Sequence, residues 1–245
     1  MVKKYTKENP LRVFTAFSGY DSQCLALNRL GIDYDLVGWS EIDPAAIKAH
    51  DALFPQYADR NYGDISKIDW SVVPDFDLFT YSFPCTDLSN AGRQAGFDEG
   101  SGTRSSLLWE CRKAISIKRP KYMMLENVKA LLSDKFVDLF KKWCEELESY
   151  GYVNYYDILN SKDFGVPQSR ERVFVISILK TDDEPEPYYE FPRPIPLKKT
   201  VEDVLEDDVP EKYYMKQEVT DRYIQTMSVE HSKDESVEQP EDELW

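Results

Sequence analysis

Phe76-Asp77-Leu78-Phe79-Thr80-Tyr81-Ser82 leads directly into Phe83-Pro84-Cys85-Thr86 and then into Asp87-Leu88-Ser89-Asn90-Ala91-Gly92-Arg93-Gln94. The first stretch is apolar and aromatic, and it predicts a core strand over residues 77–83. The last carries turn chemistry and predicts a loop. A cysteine at a strand's exit, behind a proline that stiffens the backbone, suits a nucleophile. Taken alone it equally suits a small apolar cap on the strand. The surrounding sequence decides between the two.

Working outward, strands and helices alternate. Residues 11–17 read as a first strand. Residues 21–30 read as a helix, with Cys24, Leu25, Leu27 and Leu30 near helical spacing and Gly31 as its stop. Residues 34–39 read as a second strand, and Asp43-Pro44 opens a second helix as N-cap and first-turn proline. Gly63-Asp64-Ile65 reads as the edge of a third strand, and residues 77–83 form the fourth. Residues 107–117 read as a helix and 122–125 as a fifth strand ending at Glu126-Asn127. Residues 134–150 form a long amphipathic helix stopped by Gly151, and 172–179 a last strand. Such alternation predicts an α/β fold, a mostly parallel sheet with helices on both faces.

Beyond residue 180 the composition changes. Pro185, Pro187, Pro192, Pro194 and Pro196 predict an extended connector over 181–200. Thr200-Val201-Glu202-Asp203 resembles a capping box, and residues 217–227 predict a further helix. From 228 the chain is polar and acidic, as a mobile tail would be. The three parts are a catalytic domain over 1–180, the connector, and an acidic, partly helical tail over 201–245.

Charge follows the same division. Of the net −15, residues 201–245 carry −11 (15 acidic, 4 basic) and the first 200 residues only −4. A self-sufficient grip on nucleic acid is not what this balance offers. No apolar run reaches membrane-spanning length and the first residues lack a signal-peptide pattern, so a cytoplasmic protein is expected. The four cysteines show no Cys-x-x-Cys spacing and read as free thiols. With two histidines, His50 and His231, neither a His-rich metal site nor a histidine-based triad is expected.

In a doubly wound sheet, ligands bind at the carboxyl ends of the strands. Phe17-Ser18-Gly19-Tyr20-Asp21-Ser22 turns the first strand into the first helix, and Gly19 allows close backbone approach. Glu41 is placed to accept from ribose hydroxyls and Asp64 from an adenine amino group, although each could be a solvated strand-end carboxylate. No Gly-x-Gly-x-x-Gly fingerprint is present, so a nucleoside without a pyrophosphate fits, as in S-adenosylmethionine. Glu126 follows an apolar strand, a costly place for a carboxylate unless it is paired or used. Gln168, Arg170 and Arg172 share one face of an extended segment, offering an amide and two cations; an ordinary charged edge strand would look the same.

Phe17-Ser18-Gly19, Glu41, Gly63-Asp64-Ile65, Phe83-Pro84-Cys85, Gly102-Thr103 with Leu107, Glu126-Asn127-Val128 and Gln168-x-Arg170-x-Arg172 occur in this order. As an ordered set over roughly the first 180 residues, they resemble the cytosine-5 methyltransferase family, best known from bacterial DNA modification enzymes. The resemblance implies a Rossmann-like S-adenosylmethionine-dependent methyltransferase fold. It also implies transfer of methyl to C5 of a flipped-out cytosine in double-stranded DNA, with S-adenosylhomocysteine as product. Cys85 would attack C6, Glu126 would bond the N3 edge, Arg172 would contact O2, and Arg170 would support the thiolate. An ordinary thiol is only about 3% ionised at pH 7, so such support is needed. The resemblance implies cofactor contacts from Phe17, Ser18, Gly19, Tyr20, Asp21, Ser22, Glu41, Ile42, Asp64, Ile65, Ser82, Pro84 and Leu107. Substrate contacts would come from Pro84, Thr86, Asn127, Val128 and Gln168. No metal is implied.

The sequence departs from the family pattern at Tyr20, Asp21 and Ser22, where glycine is more usual. It departs again at Ser82 and Thr86, which flank Phe-Pro-Cys, and at Ile42, which cannot stack on adenine. Nothing after residue 200 resembles the family's target-recognition region or closing segment. The expectation is therefore the catalytic subunit of a split enzyme, with a second protein supplying recognition, or a truncated enzyme. A non-catalytic regulatory subunit and an RNA cytosine-5 methyltransferase are the alternatives.

Overall fold

The structure is a computed structural model and describes residues 5–85, 87–88 and 96–234. Thr86, the loop residues 89–94 and the end of the acidic tail lie outside the described residues. The chain divides into two compact units, Met1–Lys199 and Thr200–Trp245.

The first unit is built on one six-stranded sheet in the order β2-β1-β3-β4-β6-β5. Its strands are β1 (Leu11–Ala16), β2 (Tyr34–Ser40), β3 (Leu78–Tyr81), β4 (Tyr122–Val128), β5 (Tyr152–Asn160) and β6 (Glu171–Leu179). β2, β1, β3 and β4 pair in parallel, whereas β6 runs antiparallel to both β4 and β5. Five strands thus share one direction, and the sheet is mixed. The helices of this unit are α1 (Ser22–Leu30), α2 (Pro44–Leu53), α3 (Cys111–Lys118) and α4 (Val137–Ser149).

β1 shows why both faces must be covered. Leu11 and Val13 pack with Leu36, Trp39 and Phe54 beneath α1 and α2. Phe14 and Ala16, of opposite parity, join the larger core with Ala114 and Ile115 of α3 and Phe140 and Trp143 of α4. A strand buried on two faces reads as a near-continuous apolar run, as Leu11–Ala16 does.

Within the sheet, the observed elements differ from the sequence reading in three places. Gly63-Asp64-Ile65 is not a strand; Asp64 instead caps a 3-10 turn, Ile65–Lys67, accepting from the Ser66 amide. The segment Tyr152–Asn160, left outside the alternation, is the edge strand β5. Its polar residues hide the strand pattern yet are used: Asn154 Nδ2 donates to the Cys144 carbonyl at 3.1 Å, and Ser177 Oγ donates to Asn154 Oδ1 at 2.7 Å. β4 runs on to Val128, so Glu126 lies within the strand, opposite Phe174 of β6.

β2 contains an irregularity. Val13 pairs with Leu36 but Phe14 pairs with Gly38, leaving Val37 as an extra residue that keeps Leu36 and Trp39 on one face. Gly38 is required there, since a Cβ would lie 2.7 Å from ring carbons of both Phe14 and Tyr62. Gly38→Ala is expected to destabilise the protein by about 1–3 kcal/mol, measurable as a lowered urea midpoint with unchanged slope.

The proline-rich connector is not a free linker. The Tyr155 hydroxyl donates to the Pro187 carbonyl at 2.5 Å, and further along the Ile195 amide donates to the Asp163 carbonyl at 2.8 Å. In the second unit, Thr200 donates through its amide and hydroxyl to Asp203 Oδ2, which precedes α5 (Gln217–Asp234), a helix longer than the predicted 217–227. Among the described residues, no helix is long and apolar enough to cross a membrane.

Candidate active site

The loop after β1 is wound by three left-handed residues: Phe17 (φ 55°), Gly19 (φ 57°) and Asp21 (φ 64°). Non-glycine residues adopt this conformation at a cost of about 1–3 kcal/mol, typically at functional sites. The Ser18 amide donates to the Ser40 carbonyl, tying the loop to the end of β2. Gly19 faces open space at its Cβ position, and its amide donates to Glu41 Oε2 at 2.9 Å. Glu41 Oε1 accepts from the amides of Ile42 and Asp43 at 2.8 and 2.9 Å. Three backbone donors therefore fix this carboxylate at the mouth of a cavity.

The cavity measures about 370 Å³ and is lined by Phe17, Gly19, Ser40, Glu41, Ile42, Asp43, Ala46, Gly63, Asp64, Ile65, Pro84, Arg104 and Leu107. That lies within the roughly 300–1,000 Å³ typical of small-molecule sites. Of the predicted cofactor residues, Phe17, Gly19, Glu41, Ile42, Asp64, Ile65, Pro84 and Leu107 meet here. Hydrogen bonds from the Ser66 hydroxyl and amide hold the Asp64 carboxyl below its ordinary range.

Ser18, Tyr20, Asp21, Ser22 and Ser82 do not line the cavity. Asp21 is the clearest departure. Its left-handed backbone turns the side chain inward, where it is fully buried, accepts from the Thr15 hydroxyl at 2.8 Å and caps α1 through the Cys24 amide. Burial pushes its carboxyl up, against these hydrogen bonds and the nearby His50. His50 is buried as a packing residue stacked on Trp39, with centroids 3.7 Å apart. Tyr20 and Ser22 point to solvent.

At the end of β3, Phe83-Pro84-Cys85 is pinned from two sides. Asn127 Nδ2 donates to the Phe83 carbonyl at 3.1 Å, and Ser105 Oγ donates to the Pro84 carbonyl at 2.6 Å. The Cys85 side chain is half-buried and its thiol is free, whereas Cys24, Cys111 and Cys144 are buried. Burial pushes the Cys144 thiol up to about 12 and those of Cys24 and Cys111 higher still. Of the four cysteines, Cys85 is thus the one that is not buried.

The Asn127 hydrogen bond draws the end of β4 against the segment that carries Cys85, which sets Glu126 on the neighbouring strand. Glu126 Oε1 is 3.1 Å from Arg172 Nε. Burial raises the Glu126 carboxyl, opposed by the charges of Arg172 and Arg170. The Arg172 side chain comes from β6, where Arg172 pairs with Val128. Arg170 is exposed, its amide donating to Asn160 Oδ1 at 3.0 Å. Gln168 is exposed too, and the hydrogen bonds recorded for it use its backbone. Asn127 is occupied structurally, its Oδ1 accepting from the Val128 amide at 2.8 Å.

Replacing Arg172 with leucine should raise the Glu126 carboxyl further, because burial then acts with less opposition. A ¹³C NMR titration of the Glu126 carboxyl reads this directly; an unmoved or lowered midpoint contradicts it. A raised folded value means that the protonated form favours the fold. The Glu126 contribution to stability is therefore full below its unfolded value and falls as pH rises through the folded one.

Sequence reasoning missed Asn61, Asp43 and Arg104. Asn61 braces the site, accepting from the amides of Glu41 and Gly63 and donating to the Glu41 carbonyl. Nothing local announces a partner twenty residues away. Asp43 was legible only as a helix cap, and Arg104 adjoins the quoted Gly102-Thr103. Among the described residues, no cluster of three or more His, Cys, Asp or Glu could hold a metal ion.

A cavity of this size at the strand ends, bordered by the segment that carries Cys85, defines an α/β protein with a small-molecule site at the carboxyl edge of its sheet. Comparison with known proteins gives the family: residues 11–243 match the model of the C-5 cytosine-specific DNA methylases. The chain is 42% identical to the type II methyltransferase M2.ScrFI of Lactococcus lactis subsp. cremoris, over 84% of this chain and 70% of that protein. It is 31% identical to the orphan methyltransferase M.Rho11sI of Bacillus phage rho11s, over 91% of this chain and 49% of that one. The crystal structure of S. pombe Dnmt2 methyltransferase superposes with a TM-score of 0.67 at 22% identity, covering 88% of this chain and 67% of that one, a likeness of fold. The chain belongs to the C-5 cytosine-specific DNA methylases, a family of enzymes.

Proposed function

We propose that this chain is a cytoplasmic DNA cytosine-5 methyltransferase that uses S-adenosylmethionine. The observations that carry the reading are a Cys85 that is only partly buried, a partly buried Glu126 paired with Arg172 on the strand whose Asn127 bonds the Phe83 carbonyl, and a cavity sharing Pro84 with the cysteine segment. The cavity fits the cofactor chemically. Glu41, held by three amides, is oriented to accept from ribose hydroxyls; Asp64 and Ile65 serve the base; Pro84 and Leu107 border the reactive end. Bound there, S-adenosylmethionine supplies the electrophilic methyl group that C5 takes, leaving S-adenosylhomocysteine.

The protein's own residues do the rest. Cys85 Sγ adds to C6 of a cytosine swung out of the helix, moving electron density toward C5 and N3. Glu126, raised toward its protonated form by burial, donates to N3 and stabilises the charge that develops there. Arg172 holds Glu126 by one oxygen and stands toward the O2 edge of the base. Loss of the C5 proton to a base, rupture of the Sγ–C6 bond and return of the N3 proton to Glu126 restore the thiolate, the aromatic ring and the acid.

Recognition of double-stranded DNA is proposed to lie outside residues 201–245, in a second protein subunit or, for a truncated enzyme, in a longer form of the chain. The charge of −11 over residues 201–245 opposes contact with phosphates, from which DNA affinity largely comes. The test is covalent trapping on a 5-fluorocytosine duplex with S-adenosylmethionine, with and without the candidate partner. A denaturation-resistant adduct is expected at Cys85. Cofactor binding without any adduct would point to a regulatory subunit, and transfer to tRNA in preference to duplex DNA would point to an RNA enzyme.

A further inference from the structure

The cavity carries three carboxylates and one cation among its described lining residues: Glu41, Asp43 and Asp64 against Arg104. The carboxylates are engaged. Glu41 accepts from three amides, Asp43 accepts from the Ala45 amide at 2.8 Å, and Asp64 accepts from Ser66 with Lys67 at 3.5 Å. The Arg104 side chain, exposed at the cavity, has no hydrogen bond or ion pair among the described residues. An arginine that lines a ligand cavity and lacks a protein partner is available for an anionic group of the ligand.

Its backbone is held on both sides. Thr103 Oγ1 donates to the Gly96 carbonyl at 3.0 Å. Ser105, fully buried, donates through Oγ to the Pro84 carbonyl at 2.6 Å and through its amide to Asp87 Oδ2 at 3.1 Å. Arg104 therefore issues from a fixed segment clamped to the residue that precedes Cys85. Glu41 and Asp64 lie beyond β2, whereas Pro84 lies beyond β3, with β1 between those strands. A nucleoside whose ribose meets Glu41 must direct its amino-acid end toward Pro84, Leu107 and Arg104 if its methyl group is to face the cysteine. That end carries the ligand's one carboxylate, which three acidic neighbours would otherwise repel.

We propose that Arg104 binds the α-carboxylate of the methionine portion of the cofactor, an assignment that rests on reading the cavity as the S-adenosylmethionine site. Calorimetric titration of the full chain tests it, with S-adenosylhomocysteine and its decarboxylated analogue as paired ligands. The wild-type protein is expected to favour the carboxylate-bearing ligand by about tenfold or more. Arg104→Ala is expected to weaken S-adenosylhomocysteine by that factor without weakening the analogue, and Arg104→Lys to recover part of the loss. Equal weakening of both ligands, or of neither, overturns the assignment while leaving the cavity reading intact. So does a loss confined to duplex DNA binding, which would make Arg104 a phosphate contact. If the wild-type protein binds neither ligand, the cavity reading fails and the assignment falls with it.

Discussion

Cys85→Ala is expected to abolish methyl transfer, by at least about four orders of magnitude, and to eliminate the adduct with 5-fluorocytosine DNA. The fold should survive. Cys85 is half-buried and makes no side-chain hydrogen bond among the described residues, and the contacts that pin its segment come from the Phe83 and Pro84 carbonyls. Far-UV circular dichroism and cofactor affinity should therefore match the wild type. Appreciable turnover by the alanine variant would show that no sulfur–carbon bond is needed, and the covalent reading would be wrong.

Glu126→Gln should be the second most damaging change, lowering kcat by about 10²–10⁴-fold. Its effect should appear in chemistry more than in binding. Glutamine keeps the shape and can still offer an amide hydrogen to N3, but it has no acidic proton to answer the charge formed when sulfur adds to C6. It also leaves the Arg172 guanidinium without its carboxylate at 3.1 Å. Single-turnover rates, set beside equilibrium binding of duplex, separate the two effects. A variant with normal single-turnover rates would remove Glu126 from the mechanism.

The architecture was legible in the alternation of elements because each parallel strand is short, apolar and followed by a helix with recognisable stops. Gly31 at φ 66° and Asp43 before Pro44 end and begin helices where local chemistry indicates. What escaped local reading depended on distant partners. β5 carries asparagines and an aspartate that look like loop residues, yet Asn154 finds its partners on β6 and α4. Asp21 is a cofactor contact only by the family resemblance; the sign of one dihedral angle sends it inward to Thr15. Glu41 and Cys85 stood out in the sequence because strand ends are where such a sheet exposes chemistry. Asn61, which positions Glu41, belongs to another segment and carries no local signal.

The reversed direction of β6 has a topological result. β5 ends, and β6 begins, at the edge of the sheet where β1–β4 finish, so β6 returns the chain to the opposite edge at Leu179. The connector then climbs back beside β5, meeting Tyr155 at Pro187 and reaching Asp163 by Ile195. Its parallel bridge between Phe164 and Ile195 occupies backbone groups just past β5 that would otherwise be open to another chain.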